Sequence, residues 1–548
     1  MATTNPNFKN RKTPGVYITE FDAFPQAVVG VQTAVPAFIG YTQTAVRDGK
    51  SVFMQPIALS SMADYEQVFG KEYNPLYDIN MLSSSPPPAN ADFTVNGEYY
   101  VVVEASGQPQ FNLYYSMRMF FANGGSSCYV VSVGDYSNPV AKDPLLAGLN
   151  AISYQVGPTM LVIPDAVNLP ASPPGADSTA VPQSQDFVDV TRAMLDQCVA
   201  LQDRVAIFDI YGSTAVTQGN VDFDLDPCIA QFQEAIINPS PSYGMAYFPF
   251  LNTTIVEPSD FNYTNFAPSQ APLVDLSPPI TTELQDVLTL FNQEQYPDTI
   301  VNGKVVQNPT QLKIQQYIDS IDQKADHDSV EVASLNNILT NSLGKYSQLL
   351  AVVARKAGVL PPSGAMAGVY ALNDQNRGVW NAPANMVLAS TISPTVSLSD
   401  DQQGGLNVPI NGKAIDVIRD FVGRGPVVWG ARTLDGNSLD WRYIQVRRTI
   451  IYVEQSIKAA INQFVFAPNV ATTWVSVTQM ISGFLQDLWS RGGLMGDKAS
   501  DAFSVLCGVP ATMTATDILN GYMVVQVTLQ MVHPAEFIEL TFKQTMQG

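Results

Sequence analysis

Apolar residues recur at helical spacing in the last fifth of the chain. A helix is predicted there because one of its faces would carry Ile450, Val453, Ile457, Ile461 and Phe464. A second amphipathic helix is predicted from Thr472 to Trp489, and Arg491-Gly492-Gly493 is expected to stop it. Ala499 to Leu506 is expected to be a short helix, and Tyr522 to Gln530 alternates like a strand.

Short apolar runs alternate with stretches of helical length between residues 34 and 250. Ile57 to Gly70 is interpreted as a strand and then a helix, with Ser60 or Ser61 as the N-cap and Gly70 as the stop. The other predicted strands are 34–41, 99–104, 128–133, 159–164, 204–210 and 243–250, and the other predicted helices are 112–121, 144–151 and 187–202. This alternation indicates an α/β layered domain over 34–250, with a loop insertion near 83–110.

The pattern changes after residue 250. Polar, acid-rich segments from 251 to 345 surround one amphipathic stretch, Gln311 to Lys324, and indicate either a subdomain or a set of surface loops. A compact region is predicted over 346–519, in which residues 367–385 form a turn-rich loop.

Both ends of the chain have strand patterns with no partner nearby in the sequence. In the N-terminal segment, 1–33, Val16, Tyr17 and Ile18 form one predicted strand and Val29 and Val31 belong to another. In the C-terminal segment, 520–548, apolar and acidic positions alternate through Phe537, Ile538 and Leu540. Such strands either pair within their own subunit or reach into another one.

The charge is low and uneven. Only 14% of residues are charged, which suits a surface covered by other subunits. From Asn411 onward 11 basic and 11 acidic residues balance, so the first 410 residues carry the whole net charge of −21. We expect such a surface to repel nucleic acid. The N-terminus lacks an apolar signal core and no run of 18 apolar residues occurs, so we expect synthesis in the cytoplasm and no membrane insertion.

Catalytic and metal-binding patterns are missing from the sequence. The two histidines, His327 and His533, have no nucleophile or carboxylate at motif spacing, and the four cysteines form no CxxC or metal pattern. No Walker loop, strand-end GxGxxG or HExxH occurs. We therefore expect no enzyme activity, no cofactor and no metal.

Arginines and tryptophans are concentrated between residues 427 and 466. This cluster contains Trp429, Arg432, Trp441, Arg442, Arg447 and Arg448. The arginines could bind an anion, but pairing with acids at an intersubunit or interdomain seam is the favoured interpretation.

The chain resembles the sheath proteins of contractile phage tails and of phage-tail-like injection systems. The matching blocks include Pro14-Gly15-Val16-Tyr17, 33–40, 120–125 with 128–131, 361–385, 423–434, 441–457, 466–469 and 534–540. The blocks fall within 14–250 and 361–548, whereas 251–345 and the insertion near 83–110 lie where sheath proteins vary.

The resemblance implies a structural subunit that stacks in sixfold rings around an inner tube. The N- and C-terminal arms would join a sheet shared between subunits, and contraction would drive the tube through a target membrane. Baseplate and terminal cap proteins would be further partners, and assembly would take place in the bacterial cytoplasm. The resemblance also implies an outer position for 251–345 and a tube contact within 496–506, at Lys498 and Asp501, with the helix 472–489 as the alternative. A static self-assembling shell or tube protein is the competing interpretation.

Overall fold

A computed structural model describes residues 27–82, 90–171, 184–212, 226–266, 280–321, 329–537 and 539. Among these residues the chain forms two compact units. Unit 1 comprises Val453–Val532 and the described residues up to Val31, and unit 2 comprises Gln32–Tyr452 and the described residues from His533 onward. No helix within the described ranges is long and apolar enough to cross a membrane.

The strands are short and lie mostly in unit 2. In chain order they are β1 (Pro36–Tyr41), β2 (Val46–Arg47), β3 (Lys50–Ser51), β4 (Ile57–Leu59), β5 (Tyr77–Leu82), β6 (Phe93–Val95), β7 (Glu98–Glu104), β8 (Cys128–Gly134), β9 (Met160–Val162), β10 (Val205–Asp209), β11 (Gly244–Phe248), β12 (Leu251–Thr253), β13 (Ile280–Thr282), β14 (Thr299–Val301), β15 (Lys304–Val306), β16 (Val359–Leu360), β17 (Thr391–Pro394), β18 (Asp416–Phe421), β19 (Gly425–Val428), β20 (Phe503–Cys507) and β21 (Val525–Leu529).

The α-helices vary from one turn to more than five. In chain order they are α1 (Met62–Phe69), α2 (Leu113–Ala122), α3 (Lys142–Ser153), α4 (Gln185–Leu201), α5 (Asp226–Ala235), α6 (Leu284–Gln295), α7 (Pro309–Asp319), α8 (Ser329–Ser342), α9 (Gly344–Ala357), α10 (Ser363–Arg377), α11 (Asp400–Asn407), α12 (Ile444–Ile461), α13 (Ala471–Ser490), α14 (Ala499–Ala502) and α15 (Ala515–Leu519).

An eight-stranded sheet forms the centre of unit 2, in the order β19-β18-β11-β10-β9-β1-β8-β4. Five successive pairs of neighbouring strands in this order run parallel: β18/β11, β11/β10, β10/β9, β9/β1 and β1/β8. Every residue of β1, β9, β10 and β11 is buried, as expected of strands covered on both faces. The predicted α/β fold class is therefore confirmed.

The edges of this sheet come from distant parts of the chain. At one edge β18 and β19, which form an antiparallel pair, follow the whole 251–345 segment in sequence. At the other edge β4 runs antiparallel to β8. Residues 34–250 thus supply six of the eight strands, and residues 416–428 complete the sheet.

Helix α1 begins and ends at the residues that the sequence predicts. The Ser61 side chain accepts a hydrogen bond from the Asp64 N–H, so Ser61 is the N-cap. Gly70 follows the helix with φ of 77°, a conformation that glycine adopts at little cost.

The prediction of a turn-rich loop over 367–385 is wrong for its first half, because α10 runs from Ser363 to Arg377. This helix packs closely on α2, and its glycines are needed at the contact. A Cβ on Gly364 would lie 2.6 Å from the Ser116 carbonyl oxygen, and one on Gly368 would lie 2.5 Å from the Phe120 carbonyl oxygen. Glycine here permits close packing of two helices and does not mark a turn.

The insertion near 83–110 and the segment 251–345 share one small sheet. Its order is β13-β5-β7-β6, and β13 pairs with β5 across about 200 residues of sequence. The Lys356 ammonium of α9 forms an ion pair with Asp92 at 2.6 Å, and the Lys345 ammonium donates to the Thr94 carbonyl at 2.8 Å. The two parts that do not match the sheath blocks therefore pack together.

Two short predictions near the ends of the chain differ from the structure. Ala499–Leu506 is not one helix, since α14 ends at Ala502 and β20 begins at Phe503. Residues 27–32 form no strand. In the C-terminal segment the predicted strand Tyr522 to Gln530 is present as β21, whereas residues 532–537 form none. A strand needs a neighbour to bond with, and the described residues place none beside either segment.

Candidate functional site

The arginine cluster surrounds the start of α12. Trp429 and Arg432 follow β19, whereas Arg447 and Arg448 lie in the first turn and a half of α12. An isolated antiparallel bridge joins Arg432 to Tyr443, and the Thr433 N–H donates to the Arg442 carbonyl at 2.8 Å. These backbone contacts fix the loop that carries the side chains.

Arg432 binds a carboxylate near the end of the described chain. Its Nε and Nη2 donate to the two oxygens of Glu536 at 2.9 and 2.6 Å, and the Arg432 side chain is only 4% exposed. Asn407 Nδ2 and the Tyr443 hydroxyl also donate to Glu536, at 2.7 and 3.2 Å. Burial disfavours the charged carboxylate, but these donors outweigh burial and hold the pKa of Glu536 below its usual range.

Arg448 forms a second bidentate pair in the interior of unit 2. Its guanidinium donates to both Asp374 oxygens, at 2.9 and 2.6 Å, and the two side chains are 3% and 6% exposed. The same guanidinium lies 4.6 Å from the centre of the Tyr370 ring. Arg448 Nη2 also donates to the Thr33 carbonyl at 3.0 Å, so this pair holds the chain where the N-terminal segment enters unit 2.

Arg447 and Arg442 have different surroundings. Arg447 donates to the Ser242 hydroxyl, and its guanidinium lies 3.6 Å from the Trp441 ring centre and 4.2 Å from the Tyr243 ring centre. Arg442 Nε donates to the Ser438 carbonyl at 2.9 Å. Arg432 and Arg448 therefore pair with carboxylates, and both pairs lie within unit 2.

Trp429 lies at the edge of the cluster. It is 38% exposed, and its ring centre is 4.6 Å from that of Phe421. Its carbonyl accepts a hydrogen bond from the Gln403 side chain at 2.9 Å. Trp429 is therefore the member of the cluster that offers an aromatic surface to solvent.

Buried carboxylates lie at the ends of three strands of the large sheet. Burial raises the pKa of Asp165, which follows β9, to about 6 and that of Asp209, at the end of β10, to about 7. Burial also raises the pKa of Asp416, at the start of β18, well above its usual range. Asp416 accepts a hydrogen bond from the Arg432 N–H at 2.8 Å. The Arg432 guanidinium itself pairs with Glu536, whereas Asp416 is hydrogen-bonded to the Arg432 backbone.

Unit 1 contains a two-stranded sheet, of which the sequence predicted β21, within Tyr522 to Gln530, but not β20. β20 and β21 run antiparallel, with Phe503 opposite Leu529 and Cys507 opposite Val525. One face is half-buried and the other exposed, in strict alternation along both strands. Within the described ranges each strand has one neighbour, so both outer edges of this sheet are unpaired. Residues 503–507 do not alternate clearly in sequence, because the exposed position 506 is a leucine, so the sequence carried no clear signal for β20.

The structure describes some of the predicted arm residues but not all of them. Val16, Tyr17, Ile18, Ile538 and Leu540 lie outside the described residues. Val29 is 80% exposed, and the Val31 N–H donates to the Ser456 hydroxyl at 3.1 Å within unit 1. Phe537 is 77% exposed. Among the described residues, hydrogen bonds hold the N-terminal segment at Val31 and Thr33 and the C-terminal segment at Glu536, whereas Val29 and Phe537 are exposed.

Lys498 and Asp501 lie together on the surface of unit 1. Lys498 is the N-cap residue of α14, and the Asp501 N–H donates to its carbonyl at 3.0 Å. Both side chains belong to exposed residues. The structure therefore places the two predicted contact residues next to each other, on a single turn of helix.

Comparisons with known proteins agree with this architecture. Residues 437–545 match the family model described as the phage tail sheath C-terminal domain. The chain is 28% identical over 187 residues to a prophage major tail sheath protein of Pseudomonas aeruginosa (strain UCBPP-PA14), covering 33% of this chain and 45% of the relative. It is 29% identical over 144 residues to the tail sheath protein of Burkholderia phage BcepMu, covering 25% of this chain and 30% of the relative. These two alignments span less than half of each relative.

Solved structures match over nearly the whole chain. The helical sheath of the anti-feeding prophage in its contracted state is 25% identical with a TM-score of 0.54, covering 98% of this chain and 100% of that chain. The sheath of the extracellular contractile injection system PVC, also contracted, gives the same identity and TM-score, covering 98% of each chain.

The fold is therefore that of contractile injection system sheaths, a class of structural assembly proteins. The chain has a phage tail sheath C-terminal domain and sheath-protein homologues, which confirms the resemblance inferred from the sequence.

Proposed function

We propose that this chain is the structural sheath subunit of a contractile injection system. It polymerises as stacked sixfold rings around an inner tube, and contraction of the lattice drives the tube through a target membrane. The observation that carries this proposal is the likeness of 98% of the chain to sheaths solved in the contracted state. The subunit acts without catalysis or a cofactor, since the work comes from a change in subunit packing.

The test is electron microscopy of the subunit expressed with and without its tube protein. A contractile sheath gives long cylinders around the tube and shorter, wider cylinders without it. A static shell or tube protein, which is the alternative function, gives one cylinder geometry in both preparations. One geometry would therefore reject the contractile function.

The unpaired edges of β20 and β21 support exchange of the terminal arms between subunits. The sheet offers two open edges, and the chain has two terminal segments with strand patterns. An extended segment added to each edge satisfies the open N–H and C=O groups. Exposed apolar side chains around this sheet, including Leu519 at 87% and Tyr522 at 62%, favour its being covered in the particle.

The partners and location follow from the same proposal. Other copies of the chain form the lattice, and the inner tube, the baseplate and a terminal cap complete the particle. The matched structures include an anti-feeding prophage baseplate, 6-fold symmetrised, which supports a baseplate as partner. Assembly takes place in the bacterial cytoplasm.

The segment 251–345 is proposed to lie on the outer wall, and we expect it to tolerate a short tag. The natural position is the tip of the β14–β15 hairpin, between Asn302 and Gly303, because residues 297–307 are all exposed. A tag near Asp326 should also be tolerated, because Asp326 belongs to the same segment, although it lies outside the described residues. A tag at the hairpin tip should leave cylinder formation unchanged in micrographs. The same tag at Gly521, in the exposed turn before β21, should block assembly. Loss of cylinders with the hairpin tag in a folded subunit would contradict an outer position.

The tube contact is proposed at Lys498 and Asp501. We expect a double charge reversal, Lys498→Glu with Asp501→Lys, to weaken assembly around the tube and to spare sheath-only cylinders, because a contact released on firing should be small and polar. The matched control is reversal of the exposed pair Asp487 and Arg491, 2.8 Å apart, at the end of α13. The effect of each double reversal is measured by counting cylinders formed with and without tube protein. If the control alone blocks assembly around the tube, the contact belongs to α13.

A further inference from the structure

Within the described part of the C-terminal segment, Glu536 is held by several side chains of unit 2. Glu536 accepts four hydrogen bonds from three side chains, Arg432, Asn407 and Tyr443, at 2.6 to 3.2 Å. The next residue, Phe537, is 77% exposed. A residue with four side-chain hydrogen bonds is therefore followed directly by a largely exposed one.

The donors come from three separate parts of unit 2. Asn407 ends α11, Arg432 follows β19 and Tyr443 directly precedes α12. Arg432 is itself fixed, because its N–H donates to Asp416 and its backbone bridges Tyr443. His533 adds a ring contact, with its centre 5.7 Å from that of Tyr443. Glu536 is thus bound to a rigid frame.

We propose that Arg432, Asn407 and Tyr443 form a clamp on Glu536 that sets the point and direction in which the C-terminal arm leaves the subunit. A bidentate arginine–carboxylate pair fixes orientation as well as position, because two parallel hydrogen bonds prevent rotation. Arg432 is then a positioning residue for assembly. This inference rests on the proposed function, in which the arm reaches a sheet edge of another copy.

The clamp acts by preorganisation. An arm that starts from a fixed point searches a smaller volume, so its effective concentration at the neighbouring edge is higher. A freely moving arm could make the same strand contacts, but at a higher subunit concentration. Loss of the clamp should therefore weaken assembly without removing any contact between subunits.

The first measurement is the mobility of the arm in the free subunit. A nitroxide label at Phe537→Cys, in a Cys507→Ser background because the other three cysteines are buried, reports motion just beyond the clamp. Glu536→Gln keeps the side-chain shape and removes the charge, and it should sharpen the spectrum to that of a mobile chain. Glu539→Gln, the same change at an exposed residue of the same segment, should leave the spectrum broad. Identical spectra for Glu536→Gln and the unsubstituted chain would overturn the clamp.

The second measurement is the critical concentration for cylinder formation with tube protein, determined by sedimentation. We expect Glu536→Gln to raise it at least about tenfold, equivalent to about 1.4 kcal/mol. Glu98→Gln, an exposed carboxylate in β7, should not raise it. Tyr443→Phe keeps the ring and removes one of the hydrogen-bond donors to Glu536. It should therefore raise both the mobility of the label and the critical concentration, but by less than Glu536→Gln does. If Glu536→Gln does not fold, the result with Tyr443→Phe decides whether the clamp positions the arm.

The outcomes separate the clamp from the proposed function. If the unsubstituted chain forms no cylinders, the proposed function fails, while the spectra still decide whether the clamp holds the arm. If the unsubstituted chain assembles and Glu536→Gln assembles at the same concentration, the clamp has no role in positioning. A lower melting temperature with unchanged mobility and assembly would make the four hydrogen bonds purely structural.

Discussion

Deletion of residues 1–24 is expected to abolish cylinder formation and to leave a folded subunit. The deleted part contains the predicted strand around Val16, Tyr17 and Ile18, for which β20 and β21 offer open edges. A five-residue strand adds roughly five main-chain hydrogen bonds, each worth about 0.5–1.5 kcal/mol. In a lattice that loss repeats at every subunit, so assembly should fail completely.

Micrographs give the assembly result, and circular dichroism shows whether the shortened subunit is folded. The matched control is deletion of residues 1–12, which removes the polar start and keeps Pro14-Gly15-Val16-Tyr17. That variant should assemble normally. Normal cylinders from the 1–24 deletion would show that the N-terminal strand is not required.

Features of the fold that depend on residues close together in the sequence were predicted correctly. Strands β1 and β9 are continuous apolar runs and β10 is apolar up to its last residue, Asp209; their burial on both faces is what such runs indicate in a parallel sheet. The start and stop of α1 depend on Ser61 and Gly70, which act on adjacent backbone groups. The apolar face of α13 is buried at Val477, Ile481 and Leu485, as its spacing predicts.

Pairings between distant residues were not predictable from these patterns. No local signal shows that β18 joins β11 or that β13 joins β5, because strand pairing depends on where the intervening chain returns. Residues 367–385 were interpreted as a turn-rich loop, although 367–377 belong to α10, whose glycines allow close packing against α2. The contact partner of a glycine lies elsewhere in the sequence, and only the three-dimensional structure identifies it.

For the arginine cluster, too, the kind of contact was predictable from the sequence but the distant partners were not. Its composition favoured pairing with acids at an intersubunit or interdomain seam. Arg432 and Arg448 do pair with carboxylates, but both partners belong to unit 2. The identities of the partners were not predictable, since Glu536 and Asp374 lie 104 and 74 residues away in sequence. Strand β20 was also missed, because Phe503 to Leu506 was interpreted as part of a helix, whereas β21 was predicted within Tyr522 to Gln530.

Replacement of Asp374 by Asn is expected to cause the largest loss of stability among single substitutions in the cluster. Asp374 and Arg448 are 6% and 3% exposed, so the change leaves the guanidinium buried without its counter-charge. Breaking a buried pair from one side costs about 3–5 kcal/mol. In a unit of more than 400 residues this lowers the melting temperature by roughly 1 °C per kcal/mol, a shift that differential scanning calorimetry detects.

The control for Asp374→Asn is the same substitution at Asp400, which pairs with Arg419 at 2.7 Å but is 91% exposed. Water already solvates that pair, so its loss should leave the melting temperature nearly unchanged. The double replacement Arg448→Met with Asp374→Leu removes both charges and should recover most of the stability that Asp374→Asn loses. It should not recover the hydrogen bond from Arg448 to the Thr33 carbonyl, 3.0 Å long in the native subunit. If that bond holds the start of the N-terminal arm, the double variant will be stable and still assemble poorly. Full recovery of assembly would show that the pair serves the stability of unit 2 alone.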